Sequence, residues 1–300
     1  MTETYICAAD LHFRPDKPPC RTETTEEWIS VQFNKFGEIL QSSMEFGGAP
    51  ILVAGDFCHK ATGWPAWLFS GLITTIKESK ECGAIFSAYG QHDLPYHQLN
   101  MRQKSNLGVL NVAEAANSYF SPVNIYGLIL FDWGMKFTAI TGKDVAVTHQ
   151  MVMEDKNKEQ YPGQAASAQS AEALLRKYPQ YKLIVSGDNH LPFAVSFRGR
   201  WLLNPGSMTR QRTTETHAPG FYIWQDGEVE RRTFKYDPNA VREQSAPAPE
   251  SGVWGGDLTA VEDMMNDAVG EDDLDFHSAL QIYFNERKTR AAVQEKILGE

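Results

Sequence analysis

Asp10 and His12 stand two residues apart, directly after the apolar run TYICAA. In an extended segment, residues two apart point the same way, so this carboxylate and imidazole could grip one cation. The same punctuation recurs along the chain. PILVA is followed by Gly55-Asp56, AIFSAY by Gly90-Gln91-His92-Asp93, VAVT by His149, and KLIVS by Gly187-Asp188-Asn189-His190. Carboxylate, imidazole and amide oxygen together suit Mn²⁺, Fe²⁺ or Zn²⁺. Asp56 could bridge two ions, with His190 joining the first and His149 and Asp188 the second. Two ions about 3.5–4 Å apart would clamp a phosphate and lower the pKa of a shared water, and the resulting hydroxide would attack phosphorus in line. The departing oxygen needs a proton, and His92, holding no ion, is the candidate acid. A lone D-x-H or G-D is common and says little. The ordered set, each member after an apolar run, is what points to this chemistry.

Such residues converge only if their strands share one edge of a layered structure. TYICAA, PILVAG, AIFSAY, VAVTH and KLIVSG have the length and content of buried strands. Glu26–Met44 spaces its apolar residues mainly by threes and fours, which predicts a helix. Trp67–Ser79 and Ala165–Lys177 read the same way. Strand alternating with helix predicts an α/β layered fold, in which ligands gather at the carboxyl ends of strands.

The 300 residues are 42% hydrophobic and 22% charged, an ordinary globular composition long enough for a full core. SAPAPESGVWGG (245–256) reads as a linker. It divides the chain into a body, 1–244, and a helical tail, 257–300. The net charge is −10, and residues 245–300 hold 12 of the 38 acidic but only 4 of the 28 basic residues. The acidity is therefore mostly a tail property, and two divalent cations would turn a carboxylate-rich pocket in the near-neutral body into an anion site. No stretch has the roughly 18 uncharged apolar residues of a membrane helix, and the N-terminus lacks a basic, then apolar, leader. The expectation is a cytoplasmic protein without membrane contact. The four widely spaced cysteines are expected to be reduced.

The ordered set resembles the calcineurin-like metallophosphoesterase superfamily. Within it, the chain is similar to SbcD-type DNA-repair nucleases, including phage-borne versions. LLNPGSMTRQ (202–211) followed by APGFYIW (218–224) is similar to the family's segment after its last metal motif. There, NPGS turns beside the active site and a strand returns to the sheet. The resemblance implies a four-layer α/β/β/α sandwich with two divalent ions, usually Mn²⁺ in nuclease members, with Mg²⁺ or Fe²⁺ as other candidates. It assigns Asp10, His12 and His190 to one ion, Asp56 to the bridge, and Gln91, His149 and Asp188 to the other. His92 becomes transition-state stabiliser or acid, with Asp93 orienting it.

Two positions depart from the pattern. Gln91 stands for Asn in G-N-H-D, and Asp188 for the first His in G-H-x-H. Both fall on the same ion, making that site harder and more anionic, which favours Mn²⁺ or Mg²⁺ over Zn²⁺. The implied activity is metal-dependent hydrolysis of DNA. The alternatives are a phosphodiesterase for small nucleotides and a non-catalytic binding subunit with a degraded second site. In the resembled family the C-terminal region binds an SMC-like ATPase of the SbcC type, and the apolar stripes of the tail would suit that role or packing on the body. Dimerisation could use Glu26–Met44 or Trp67–Ser79, although such faces equally serve a core. Arg210, beside the NPGS turn, is the candidate substrate contact in an arginine-rich stretch with interleaved acids. His59 and Lys60 read as a solvated loop with a phosphate contact by the lysine as the other option, and Trp64 and Trp67 as helix packing with base stacking as the other option.

Overall fold

The computed structural model describes residues 2–117, 127–154, 168–213 and 215–242. The chain divides at Gln244–Ser245, so the linker and tail lie outside the described residues.

Two five-stranded sheets face each other. The first is built from β1 (Thr4–Ala8), β2 (Ile51–Val53), β3 (Ile85–Ser87), β11 (Gly220–Gln225) and β12 (Glu228–Thr233), in the order β12-β11-β1-β2-β3. β1, β2 and β3 run parallel, and β11 returns antiparallel against β1 with Thr4 opposite Gln225. The second comprises β4 (Leu128–Phe131), β5 (Val145–Thr148), β8 (Leu183–Ser186), β9 (Phe193–Phe197) and β10 (Arg200–Asn204), in the order β4-β5-β8-β10-β9. All its pairings are parallel except β10 with β9.

Alternation along each strand sorts side chains to opposite faces. Ile6, Ala8, Ile51, Val53 and Ile85 turn outward from the first sheet. They meet Phe36, Ile39 and Leu40 of α1 (Thr25–Glu45) and Leu68 and Leu72 of α2 (Ala66–Glu78). Cys7, Leu52, Ala54 and Phe86 turn inward, against Val145, Val147, Leu183 and Val185 of the second sheet. Beyond that sheet, Ala146, Ile184 and Leu202 pack on Leu174 and Leu175 of α4 (Ala171–Lys177). The result is the expected α/β/β/α sandwich. A short α3 (Asn106–Val112) and a two-stranded ribbon, β6 (Val152–Met153) with β7 (Gln169–Ser170), complete the described elements.

α1 starts where the sequence predicts, because Thr24 and Glu27 form a reciprocal capping box. The third predicted helix starts later than expected. Gln169 and Ser170 pair with Val152 and Met153 as strand, and the Ser170 hydroxyl caps α4 by accepting from the Ala173 N–H; residues 165–167 are outside the described set. The buried faces of α1 and α2 belong to the core. Trp64 packs on Phe13 and Phe69, whereas Trp67 is 50% exposed. All four cysteines are free. Among the described residues, no helix is long and apolar enough to cross a membrane.

Candidate metal centre

The parallel strands β1, β2, β3, β5 and β8 deliver their C-terminal loops to one edge. Asp10 and His12 follow β1, Asp56 follows β2, Gln91–Asp93 form a 3-10 turn after β3, His149 follows β5, and Asp188 and His190 follow β8. The loops are laced together: the Asp10 N–H donates to the Gly55 carbonyl and the His12 N–H to the Asp56 carbonyl. Asp10, His12, Asp56 and Asp188 all take left-handed backbone, with φ between 47° and 74°. Such residues cost roughly 1–3 kcal/mol each and cluster at functional sites. Two glycines permit close approach. A Cβ on Gly90 would lie 2.0 Å from Asp56 Oδ1, and one on Gly55, at φ +82°, would lie 2.4 Å from His149 Nδ1.

Two overlapping groups of metal-ligand atoms result, Asp10 with His12 and His190, and Asp10 with Asp56 and His149. Within each, the ligand atoms lie within 4.8 Å of one another. Asp10 thus belongs to both groups, where the sequence reading gives it to one. His149 donates its Nδ1–H to the Ala54 carbonyl at 2.7 Å. That leaves Nε2 aimed at Asp56 Oδ2, 3.3 Å away. His12 Nε2 lies 3.7 Å from the same oxygen and 3.2 Å from His190 Nε2. Gln91 donates to Asp188 Oδ1, and its own Oε1 is buried without a partner, as are Asp10 Oδ2 and His149 Nε2. Acceptors face acceptors here, an arrangement that a proton or a cation between them resolves.

Charge behaviour agrees. Burial pushes Asp10 up to about 7. Asp56 is also buried, yet the His149 and His92 imidazoles hold it well below the usual carboxylate range. Burial would depress His149, but the Asp56 carboxylate overrides it and drives the imidazole well above the usual histidine value. Burial and crowding by neighbouring imidazoles drive His12 far down, so it stays neutral with a lone pair to give. The donor set therefore fits divalent cations. Because ligands come from both sheets, a cation there ties one sheet to the other. Mn²⁺ at a hundred times its Kd should stabilise the body by about 2.7 kcal/mol and raise Tm by roughly 5–10 °C over EDTA. Superimposable melting curves in calorimetry would show that the cluster holds no ion.

His92 is placed by its backbone, whose N–H donates to Asp56 Oδ1 at 3.0 Å. Its ring lies edge-on to His12 at 5.2 Å and makes no hydrogen bond among the described residues. Asp93 does not orient that ring directly. It accepts from the N–H groups of Phe57, Cys58 and Gly90, pinning the Asp56 loop to the His92 turn. His59 is not in a solvated loop: its ring stacks on His92 at 5.6 Å and 12°, and burial pushes it down to about 3. Its place three residues after Asp56 was the available signal. Lys60 is exposed.

Glu215 is the residue that sequence pattern gave least reason to choose. It is 3% exposed and accepts from His190 Nδ1 at 2.5 Å and from the Gln211 N–H at 2.6 Å. Burial would lower His190, but Glu215 and Asp10 lift it to about 9. A carboxylate behind a ligating histidine fixes ring orientation and basicity, and its loss typically costs 10–100-fold in metal affinity. Glu215→Ala should weaken Mn²⁺ binding by about that factor, with Glu215→Gln between. Isothermal titration checks this, and wild-type affinity in Glu215→Ala would refute it.

The NPGS turn lies behind His190 and Asp10, as the resemblance implies: the Ser207 N–H donates to the His190 carbonyl and the Met208 N–H to that of Asp10. His217 supports it through Ser207. Arg210 sits outside the cluster's hydrogen bonds. Its guanidinium donates to the Asp237 and Pro238 carbonyls and lies over Tyr236. Neighbouring arginines are similarly engaged, Arg200 with the Leu175 and Tyr178 carbonyls, Arg231 with that of Ala218, and Arg232 with Glu45 and Glu230.

No family profile and no curated protein sequence matches the chain. Among solved structures, the chain is similar to a novel archaeal phosphodiesterase at 14% identity and TM-score 0.39, over 77% of this chain and 99% of that one. It is similar to a candidate 5′-nucleotidase from Staphylococcus aureus, in complex with α-ketoglutarate, at 12% identity and TM-score 0.45. That match covers 89% of this chain but only 59% of the other. Vacuolar Protein Sorting 29 from Cryptosporidium parvum gives 14% identity and TM-score 0.34, over 78% and 98%.

Proposed function

We propose that this chain is a metal-dependent phosphodiesterase that cleaves DNA, a nuclease of the SbcD kind within the calcineurin-like metallophosphoesterases. The observation that carries the reading is the pair of overlapping, buried carboxylate–imidazole groups with His92 beside them. Asp10, His12 and His190 would hold one cation, and Asp56, His149, Gln91 and Asp188, with Asp10, the other. Two cations bound there would supply a lowered pKa for a shared water and charge neutralisation at phosphorus. The chain does the rest. Asp93 fixes the loop of Asp56 to the turn of His92, and Glu215 fixes His190. His92, with a free ring edge, is placed to give the leaving oxygen its proton. Asp188 and Gln91 would bring oxygen ligands to the second ion, a hard donor pair that supports Mn²⁺ or Mg²⁺. DNA as substrate is supported by the ordered motifs and the segment from Leu202 to Trp224. The tail is proposed to bind an SMC-like ATPase, and α1 or α2 to serve a homodimer.

The test is hydrolysis of single- and double-stranded DNA and of small nucleotide diesters, with Mn²⁺, Mg²⁺ or EDTA. Mn²⁺-dependent cleavage of DNA is expected. Turnover confined to small diesters would replace DNA with a nucleotide substrate. Absence of turnover together with a single bound ion would make the chain a binding subunit.

A further inference from the structure

The turn bearing His92 continues past the imidazole. Leu94 is buried, and Pro95–His97 form another 3-10 turn. Inside it, Tyr96 and His97 both take left-handed backbone, at φ 54° and 53°. Bulky L-residues rarely adopt that conformation, and two in succession are rarer still. The outcome for Tyr96 is exposure, at 82%. It makes no hydrogen bond or ring contact among the described residues, so packing does not account for the strain. His97 turns the other way, edge-on to Trp133 at 5.6 Å. Trp133 is anchored in turn, its N–H donating to the Tyr89 carbonyl at 2.7 Å, immediately before Gly90. Two residues on, Met135 is 38% exposed, and its carbonyl accepts from the side chain of Gln150, the neighbour of His149.

Three strand-end loops, at 89–97, 132–135 and 149–150, thus form one rim beside the ligands His149 and Gln91. Tyr96 follows His92 by four residues, so their Cα atoms lie within about 14 Å. Strained residues with no packing role gather at ligand clamps. A ligand that meets both the metal centre and this rim must carry a phosphate and, a short distance away, a flat π face. We propose that Tyr96, exposed on this rim, is a stacking platform for the base of a nucleotide next to the scissile phosphate. The inference rests on the phosphodiesterase reading and adds the part of the substrate, other than phosphate, that is held. Stacking on an aromatic ring tolerates every base, so the platform would grip nucleotides without reading sequence.

The experiment compares Mn²⁺-dependent cleavage of a single-stranded oligonucleotide with that of the same oligonucleotide made abasic beside the cleavage position. Tyr96→Ala should lower kcat/KM on the base-bearing strand about tenfold more than on the abasic strand, chiefly through KM, as expected for one lost stack. Tyr96→Trp should restore it. Equal effects on the two strands, or none on either, would overturn the platform while leaving the nuclease reading intact. If wild type cleaves neither strand, the DNA reading fails, and 2-aminopurine riboside 5′-monophosphate becomes the probe. Quenching of its fluorescence by wild type but not by Tyr96→Ala would support the platform; no quenching by wild type would overturn it.

Discussion

Asp56→Ala is expected to lower metal-dependent phosphodiester hydrolysis by at least about three orders of magnitude, the equivalent of several kcal/mol of lost charge stabilisation. One side chain serves three purposes. Its Oδ2 faces His149 and His12, and its Oδ1 receives the His92 N–H. Alanine removes the carboxylate of the Asp10–Asp56–His149 group and loosens the His92 turn together. Asp56→Asn separates these effects, because the amide oxygen still accepts from His92 while the charge is gone. Asn should therefore keep the fold and lose most of the turnover. Steady-state kinetics with metal content by mass spectrometry decides the matter. Activity within tenfold of wild type, in either variant, would remove Asp56 from the mechanism.

His92→Ala should cost about 10²–10⁴ in kcat on DNA, the usual range for a positioned acid. The loss should depend on the leaving group. A DNA alkoxide is strongly basic and needs a proton as it departs, whereas p-nitrophenolate does not. On bis(p-nitrophenyl) phosphate the same variant should therefore lose far less. The backbone N–H that anchors the turn is untouched by the substitution, and Asp93 still holds Phe57, Cys58 and Gly90, so the fold is kept. Equal losses on both substrates would make His92 a transition-state stabiliser rather than the acid.

The sequence displays the candidate ligands because each one follows a strand. Asp10, His12, Asp56, His149 and His190 interrupt apolar runs with residues that a core rejects, and the parallel sheets turn that punctuation into a cluster. α1 and α2 are legible from apolar spacing and, for α1, a capping box. What pattern does not show is direction. The motif places Asp93 next to His92, but its carboxylate turns back to three amides. Glu215 is, in sequence, one acid among arginines; only the return of the chain behind His190 makes it that ring's partner. Arg210 follows the NPGS turn, and the carbonyls of Asp237 and Pro238, which its guanidinium meets, are far along the chain. His59 and Tyr96 depend on loop geometry, in which the backbone angle of one residue decides whether a ring turns in or out.

The strand order of the first sheet sets the sequence of events in folding. β1, the first strand made, lies at the sheet's centre, between β2 and β11. The Asp188 N–H meets Asp10 across 178 residues. Closing so long a loop must be offset by contacts that form only afterwards, and pairings this distant are slow. A chain emerging N-terminus first exposes one edge of β1 until β11 has been synthesised, and lacks His190 until β8, the third strand of the second sheet, has been made. The candidate metal centre is consequently not assembled until β8 has joined the second sheet. Cation binding by a nascent or truncated chain would report that the loops after β1 and β2 of the first sheet have met those after β5 and β8 of the second.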